Sequence, residues 1–237
     1  RVGSITTDII ADGLILNIDP ANRASYPKTG TIVNDTIGTN NSTLQSSGMF
    51  ENTNSGVFDF DGGTNYVLLP STFQPYNLTE LTISAWFNPT SGDSQNLNIF
   101  GADQVSGFPV FGILSYGTTG YFIINNRFVN LNNWVNNVNL NQWNQVVGVF
   151  SGSSKGNYMR VYFNNSSDAS SNIPSIPSST GTFTATNASR IGLGTGYGYF
   201  LGSIGNVNIY NRALSPTEIL HNYNALKGRF GLWNTGQ

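Results

Sequence analysis

Cysteine is absent from the 237 residues. That excludes disulfide staples, thiolate metal sites and cysteine nucleophiles. It leaves the compartment open, because a chain of this length can bury a sufficient core without cross-links. Charge is sparse: 9% of residues are Asp, Glu, Lys or Arg, against about 25% in an ordinary soluble protein. The surface must therefore be built from amides and hydroxyls. A formal net charge of -2 gives no basic footprint for DNA or RNA, and weak repulsion between copies suits dense assembly. Histidine occurs once and glutamate three times, so acid–base chemistry has few candidates. No run of eighteen apolar residues exists, and no membrane span is expected. Arg1 stands where an initiator Met would, which points to a processed chain or a piece of a longer one.

What is present is aromatic and rich in Gly and Asn, with 13% Phe, Trp and Tyr and 27 Gly, the opposite of a disordered composition. Short apolar runs recur along the chain, most of them roughly ten to fifteen residues apart. They begin near Leu14, Val57, Tyr66, Leu81, Leu97, Val110, Tyr121, Trp143, Tyr158 and Arg190, with Gly, Asn, Ser and Pro clusters between them. This rhythm predicts a single two-sheet β-sandwich. DGGTN at 61–65 reads as a hairpin turn, and 21–56 as loops with one or two short strands. Trp86 and Trp143 fall in strands and are expected in the core.

The stretch 202–230 is the most informative. Ile204, Val207 and Ile209 are spaced three then two, which predicts a β-bulge near Gly205–Asn206. A helix start follows. Ser215 is the N-cap, Pro216 the first helical residue and Glu218 the third residue after the cap, a capping box. Ile219, Tyr223 and Leu226 share one face, and Gly228 is expected to end the helix.

The string G-x-I-x-x-V-x-I-Y-N-R-A-L-S-x-x-E-I in this stretch resembles the end of laminin G-like, concanavalin A-like lectin/glucanase jelly rolls. GLILNIDPANRASYP, FDFDGGTNYV, LTISAWFNP and NQWNQVVGVFSG precede it in family order, so the resemblance covers Asp12 to Leu232. NYNALKGRFGL is similar to the variety found in structural proteins of tailed bacteriophages and other large viruses. The resemblance implies an all-β, concanavalin A-like β-sandwich jelly roll with one short C-terminal helix. The expected divisions are an arm at 1–11, the jelly roll at 12–227 and a tail at 228–237.

Relatives of this fold hydrolyse glucans, and that chemistry needs two closely placed carboxyls. Glu51 reads as a loop residue, Glu80 precedes a strand and Glu218 is in the capping box. Asp59 and Asp61 alternate on one strand, but Asp61 also fits the turn. His221, the single histidine, lies inside the closing helix. The chain is expected not to be an enzyme. Laminin G-like relatives often bind calcium, which takes six to eight oxygens. Candidates are Asp19, Asp59, Asp61, Asn65, Asp93 and Asp103, with Asp61 and Asn65 the first choice. Asn65 stands where relatives commonly have Asp, and Gly205–Asn206 where they have an acidic pair, and both departures remove charge.

Carbohydrate binding needs aromatic platforms beside amides. Trp134, within NLNNWVNNVNLN, and Tyr197 and Tyr199, within GTGYGYF, are the candidates. Packing under a loop or at a sheet edge is the competing reading for each ring. Phe230 and Trp233, on the tail, are expected to contact an assembly partner. The resemblance thus points to a virion structural protein, a capsid decoration or tail-fibre component. Its expected partners are other virion proteins, copies of itself and host-surface glycans. A secreted, extracellular lectin-like module is the alternative.

Overall fold

The computed structural model describes residues 9–75, 78–90, 97–103, 109–116, 119–124, 127–131, 138–152, 158–172, 188–194 and 198–232. Trp134, Tyr197, Trp233 and Asp93 lie outside these residues, as does the side chain of Asp103.

In chain order the strands are β1 (Leu14–Ile18), β2 (Ile32–Val33), β3 (Ser42–Leu44), β4 (Phe50–Glu51), β5 (Val57–Asp61) and β6 (Val67–Leu68). Next come β7 (Glu80–Pro89), β8 (Phe100–Asp103), β9 (Pro109–Tyr116), β10 (Thr119–Ile124), β11 (Arg127–Leu131) and β12 (Asn144–Ser151). They end with β13 (Tyr158–Phe163), β14 (Ser166–Asn172), β15 (Arg190–Ile191), β16 (Leu193–Gly194), β17 (Gly198–Tyr199) and β18 (Leu201–Tyr210). One helix, α1 (Pro216–Lys227), follows.

Among the described residues the strands form two eight-stranded antiparallel sheets. The first runs β14-β13-β12-β7-β18-β5-β4, and β1 also pairs with β18. The second runs β11-β10-β9-β8-β15-β6-β3-β2, and β16–β17 form a small separate ribbon. The expected bulge is present: the β18–β7 register shifts between Ile204 and Val207. It also divides the other edge of β18. Residues before it pair with β5 and residues after it with β1. One strand thereby holds two partners on the same side.

The two sheets enclose a phenylalanine-rich core that includes Phe58, Phe60, Phe87, Phe100, Phe111 and Phe122. Phe60 meets Phe200 edge-on at 5.9 Å, and Phe100 meets Phe111 at 5.2 Å. Across the core, Gly148 of β12 faces the Phe122 ring; a Cβ there would sit 2.6 Å from a ring carbon.

The first sheet is covered on its outer face as well, by α1 and residues 228–232. Two apolar clusters form there. One contains Val147, Val149, Tyr162, Tyr210, Leu214 and Ile219. The other contains Val57, Trp86, Trp143, Leu226 and Phe230. Trp86 is therefore buried as expected, but under the helix and not between the sheets. Phe230 corrects its reading as an assembly contact. It is 3% exposed and stacks on Trp86 at 4.6 Å, with Trp143 at 4.4 Å. The aromatic ring found its partner surface within the chain.

The helix starts as its sequence dictates. Ser215 Oγ accepts from Glu218 N, and a Glu218 carboxylate oxygen accepts from Ser215 N at 2.8 Å. Asn222, not Tyr223, is the buried residue between Ile219 and Leu226. It donates to the Tyr210 hydroxyl at 3.0 Å and accepts from Ile10 N at 2.8 Å. Ile9 and Ile10 also pack against the clusters under the helix, so this end of the expected arm is docked. Gly228 does not supply the left-handed stop, since its φ is -62°. The positive φ belongs to Gly231 at 77°, after Leu232 N has turned back to Lys227 O at 3.0 Å.

Candidate carbohydrate-binding face

Among the described residues, the outer face of the second sheet is partly exposed at β2, β3, β6 and β15. Val67 and Ile191 are buried in the core, so the alternate residues Tyr66, Leu68 and Arg190 point outward. Register aligns a row across four strands: Ile32 opposite Thr43, Thr43 opposite Leu68, and Leu68 opposite Arg190. Ile32 is 52% exposed, and the other three are half-buried.

Two tyrosines stand beside this row. The rings of Tyr66 and Tyr199 are half-buried and 6.5 Å apart, tilted by 46°. The Arg190 guanidinium carbon lies 5.7 Å from the Tyr66 ring centre, within cation–π range. Tyr199 is brought there by the β16–β17 ribbon, where it pairs with Leu193. The ribbon can lie against the sheet because Gly101 has no side chain: a Cβ at that position would be 2.9 Å from Leu193 O. Gly192, at φ 82°, makes the bend between β15 and β16, and its Cα faces the Phe60 ring too closely for any Cβ. Gln45 is exposed, and its backbone N–H bonds Tyr66 O at 3.1 Å. Ring faces, an aliphatic edge, a guanidinium and a neighbouring amide are the groups that stack on sugar rings and read their hydroxyls.

The Asp61 turn borders the face. Asp61 Oδ1 accepts from the backbone N–H groups of Gly63, Thr64 and Asn65 at 2.8–3.0 Å, and Oδ2 accepts from the Thr64 hydroxyl at 2.6 Å. Partial burial pushes its pKa up, but the bonds from Thr64, Asn65 and Gly63 outweigh that and hold the carboxyl well below the usual range. The expected calcium pair therefore meets as a turn. Asp61 takes three donors on Oδ1 and one on Oδ2, and Asn65 bonds it as an N–H donor. This is not the oxygen cage that calcium needs. Asp59 is instead raised, first by burial, and accepts from Ser203 Oγ at 3.3 Å. Asp19 is taken by Arg229, 2.7 Å away. Among the described residues, no three of His, Cys, Asp and Glu are grouped as metal ligands.

A profile described as the concanavalin A-like lectin/glucanases superfamily matches residues 61–220. The chain belongs to this superfamily. No curated protein matches it in sequence. Among solved structures, Trypanosoma rangeli sialidase in complex with the inhibitor DANA is similar at TM-score 0.64 and 16% identity, over 95% of this chain and 34% of that chain. This chain thus spans about a third of the sialidase. Domain 4 of AbnA, an extracellular arabinanase of Geobacillus stearothermophilus, in complex with arabinotriose, gives TM-score 0.62 and 17% identity over 90% of this chain and 98% of that one. The receptor-binding domain of botulinum neurotoxin C/D mosaic serotype gives 0.66 and 15%, over 91% and 52%. What these share with the present chain is the sandwich.

Of the expected sugar-binding rings, Tyr199 is on the open face. Tyr66 and Arg190 were not singled out by the sequence. Their signal is alternation: each immediately precedes a residue buried in the core.

Proposed function

We propose that this chain is a non-enzymatic glycan-binding component of a virus particle. In this reading it is a bacteriophage capsid-decoration or tail-fibre protein whose Tyr66–Tyr199 face adheres to host-surface glycans. The observation that carries the binding role is the pair of half-buried tyrosine rings, 6.5 Å apart, on the outer face of the second sheet with Arg190 beside them. The similarity to an arabinanase domain solved with arabinotriose supports a sugar as the ligand. The non-enzymatic reading is supported by the placement of the acids: Asp61 holds a turn, and Glu218 caps the helix and pairs with Arg212. Placement on a virus particle rests on the resemblance of NYNALKGRFGL to viral structural proteins and on the sparse surface charge.

A glycan array tests the binding role. Wild type is expected to give discrete hits, and Tyr66→Ala and Tyr199→Ala to weaken them at least tenfold while melting near the wild-type temperature. A blank array, or hits unchanged in both variants, rejects the face. Mass spectrometry of purified particles from an infected culture tests the placement. Its absence from them would favour the second reading, a secreted or cell-surface lectin-like module using the same face.

A further inference from the structure

A polar seam crosses the outer face of the first sheet, between the two apolar clusters and beneath α1. It is a row of side chains from adjacent strands. Asn208 Nδ2 donates to Asn206 Oδ1 at 2.5 Å, and Asn206 Nδ2 donates to Asn17 Oδ1 at 3.0 Å. Gln145 Nε2 reaches Ser84 Oγ at 3.5 Å. Ser84 is the cross-strand partner of Asn208, and Gln145 that of Trp86. Trp86, Gln145, Asn206 and Asn208 are each at most 2% exposed. Tyr223 and Phe230 stack over Trp86 from the helix side, at 5.4 and 4.6 Å.

Among the described residues, three buried atoms in this seam have no protein partner: Trp86 Nε1, Gln145 Oε1 and Asn208 Oδ1. They come from three neighbouring strands, with strand-to-strand spacing of about 4.8 Å. A buried polar atom left without a hydrogen bond costs about 1–3 kcal/mol, so three on neighbouring strands of one covered face call for a ligand.

The chemistry of the set selects it. One N–H donor and two amide-oxygen acceptors match a molecule that accepts once and donates twice. A cation would face the indole N–H, and an anion would face the two oxygens. Flipping the amides does not remove the need. A flipped Asn208 alone would set its oxygen against Asn206 Oδ1, and reversing Asn17, Asn206 and Asn208 together would leave Asn208 Nδ2 unbonded in place of Oδ1, a donor that water also accepts. A flipped Gln145 could accept from Ser84 but would leave its NH₂ orphaned instead.

We propose that the seam is an internal water site, in which bound water accepts the Trp86 indole N–H and donates to Gln145 Oε1 and Asn208 Oδ1. Three hydrogen bonds are typical of a buried water in a folded protein. The site joins strands β7, β12 and β18 under the helix. It is independent of the sugar-binding face, which lies on the other sheet.

Two measurements on the wild-type chain test this. A high-resolution crystal structure is expected to show ordered solvent within about 2.7–3.2 Å of each of the three atoms. In solution, the Trp86 indole N–H is expected to show a direct cross-relaxation peak to water of long residence time, while its exchange with bulk solvent stays slow. Electron density in which the three atoms bond one another or another side chain, with no solvent peak between them, overturns the proposal. So does the absence of the water cross peak at the Trp86 indole.

Discussion

Arg229 does more than its place in a short tail suggests. Its side chain is 2% exposed, and its Nη1 sits 2.7 Å from Asp19 Oδ1. Nε donates to Asn54 O at 2.8 Å and Nη2 to Gly56 O at 2.6 Å. The backbone returns the bond, with Asn54 Nδ2 donating to Arg229 O at 3.1 Å, and Asn54 Oδ1 accepts from Trp143 Nε1 at 3.1 Å. One planar fork thus ties the tail to the loops after β1 and before β5. Arg229→Ala should lower the free energy of unfolding by about 3 kcal/mol, because it strands a mostly buried carboxylate and two carbonyls. Arg229→Lys keeps the charge but loses the fork, and should fall between the two. Urea denaturation of the three proteins checks the order. The sequence marked Arg229 only as part of a family string. The residues it binds are brought to it by folding, from the far end of the chain.

At the scale of the element, α1 was the most legible part of the chain and also carries a pH dependence. The Arg212 guanidinium pairs with Glu218 at 2.7 and 3.1 Å. This, with the bonds from Ser215 and against some burial, lowers the Glu218 pKa from 4.5 to about 2. A depressed carboxyl stabilises the folded chain in full above its unfolded value near 4.5, and that contribution is lost as pH falls towards 2. Glu218→Gln should therefore be less stable than wild type at pH 6, and the gap should narrow between pH 5 and pH 2. Thermal melts across that range read the gap, and a constant difference would argue against the pairing. Ser215→Ala should cost about 1 kcal/mol at pH 6, and less at low pH, because the Ser215 hydroxyl also donates to ionised Glu218. Strand legibility divides on physical grounds. β12 is buried at all eight positions because its sheet is covered on both faces, and its β-branched residues announced it without any alternation. β14, SSDASSN, has no apolar side chain but Ala169. It exists because β13 and the turn at Asn164 and Asn165, with φ of 45° and 67°, present it to the sheet edge. Two left-handed Asn residues in succession were the available hairpin signal. For the candidate face, Tyr199 could be proposed as a ring in a Gly-rich loop, but its partnership with Tyr66 and Arg190 depends on β6–β15 register between distant segments.

Over the whole molecule, the two sheets are held at a fixed separation by side chains that leave no slack at Gly148. Gly148→Ala should cost about 1–3 kcal/mol by pushing the Phe122 ring against the opposite sheet. Gly63→Ala is the control. No atom lies within 4 Å of its Cβ position, so its melting temperature should match wild type. The recurrence of short apolar runs foretold the sandwich, and the capped, one-faced helix foretold that it packs back on the body, but not which sheet it would roof. The roof is assembled from both ends of the described chain, since Ile9 and Leu232 pack in the same cluster beneath α1. Residues 9 and 232 therefore lie on one side of the sandwich, and the tyrosine pair looks out from the other. In the proposed adhesive role, copies held on the roofed side would turn their tyrosine faces the same way, where many weak contacts add up to a strong avidity.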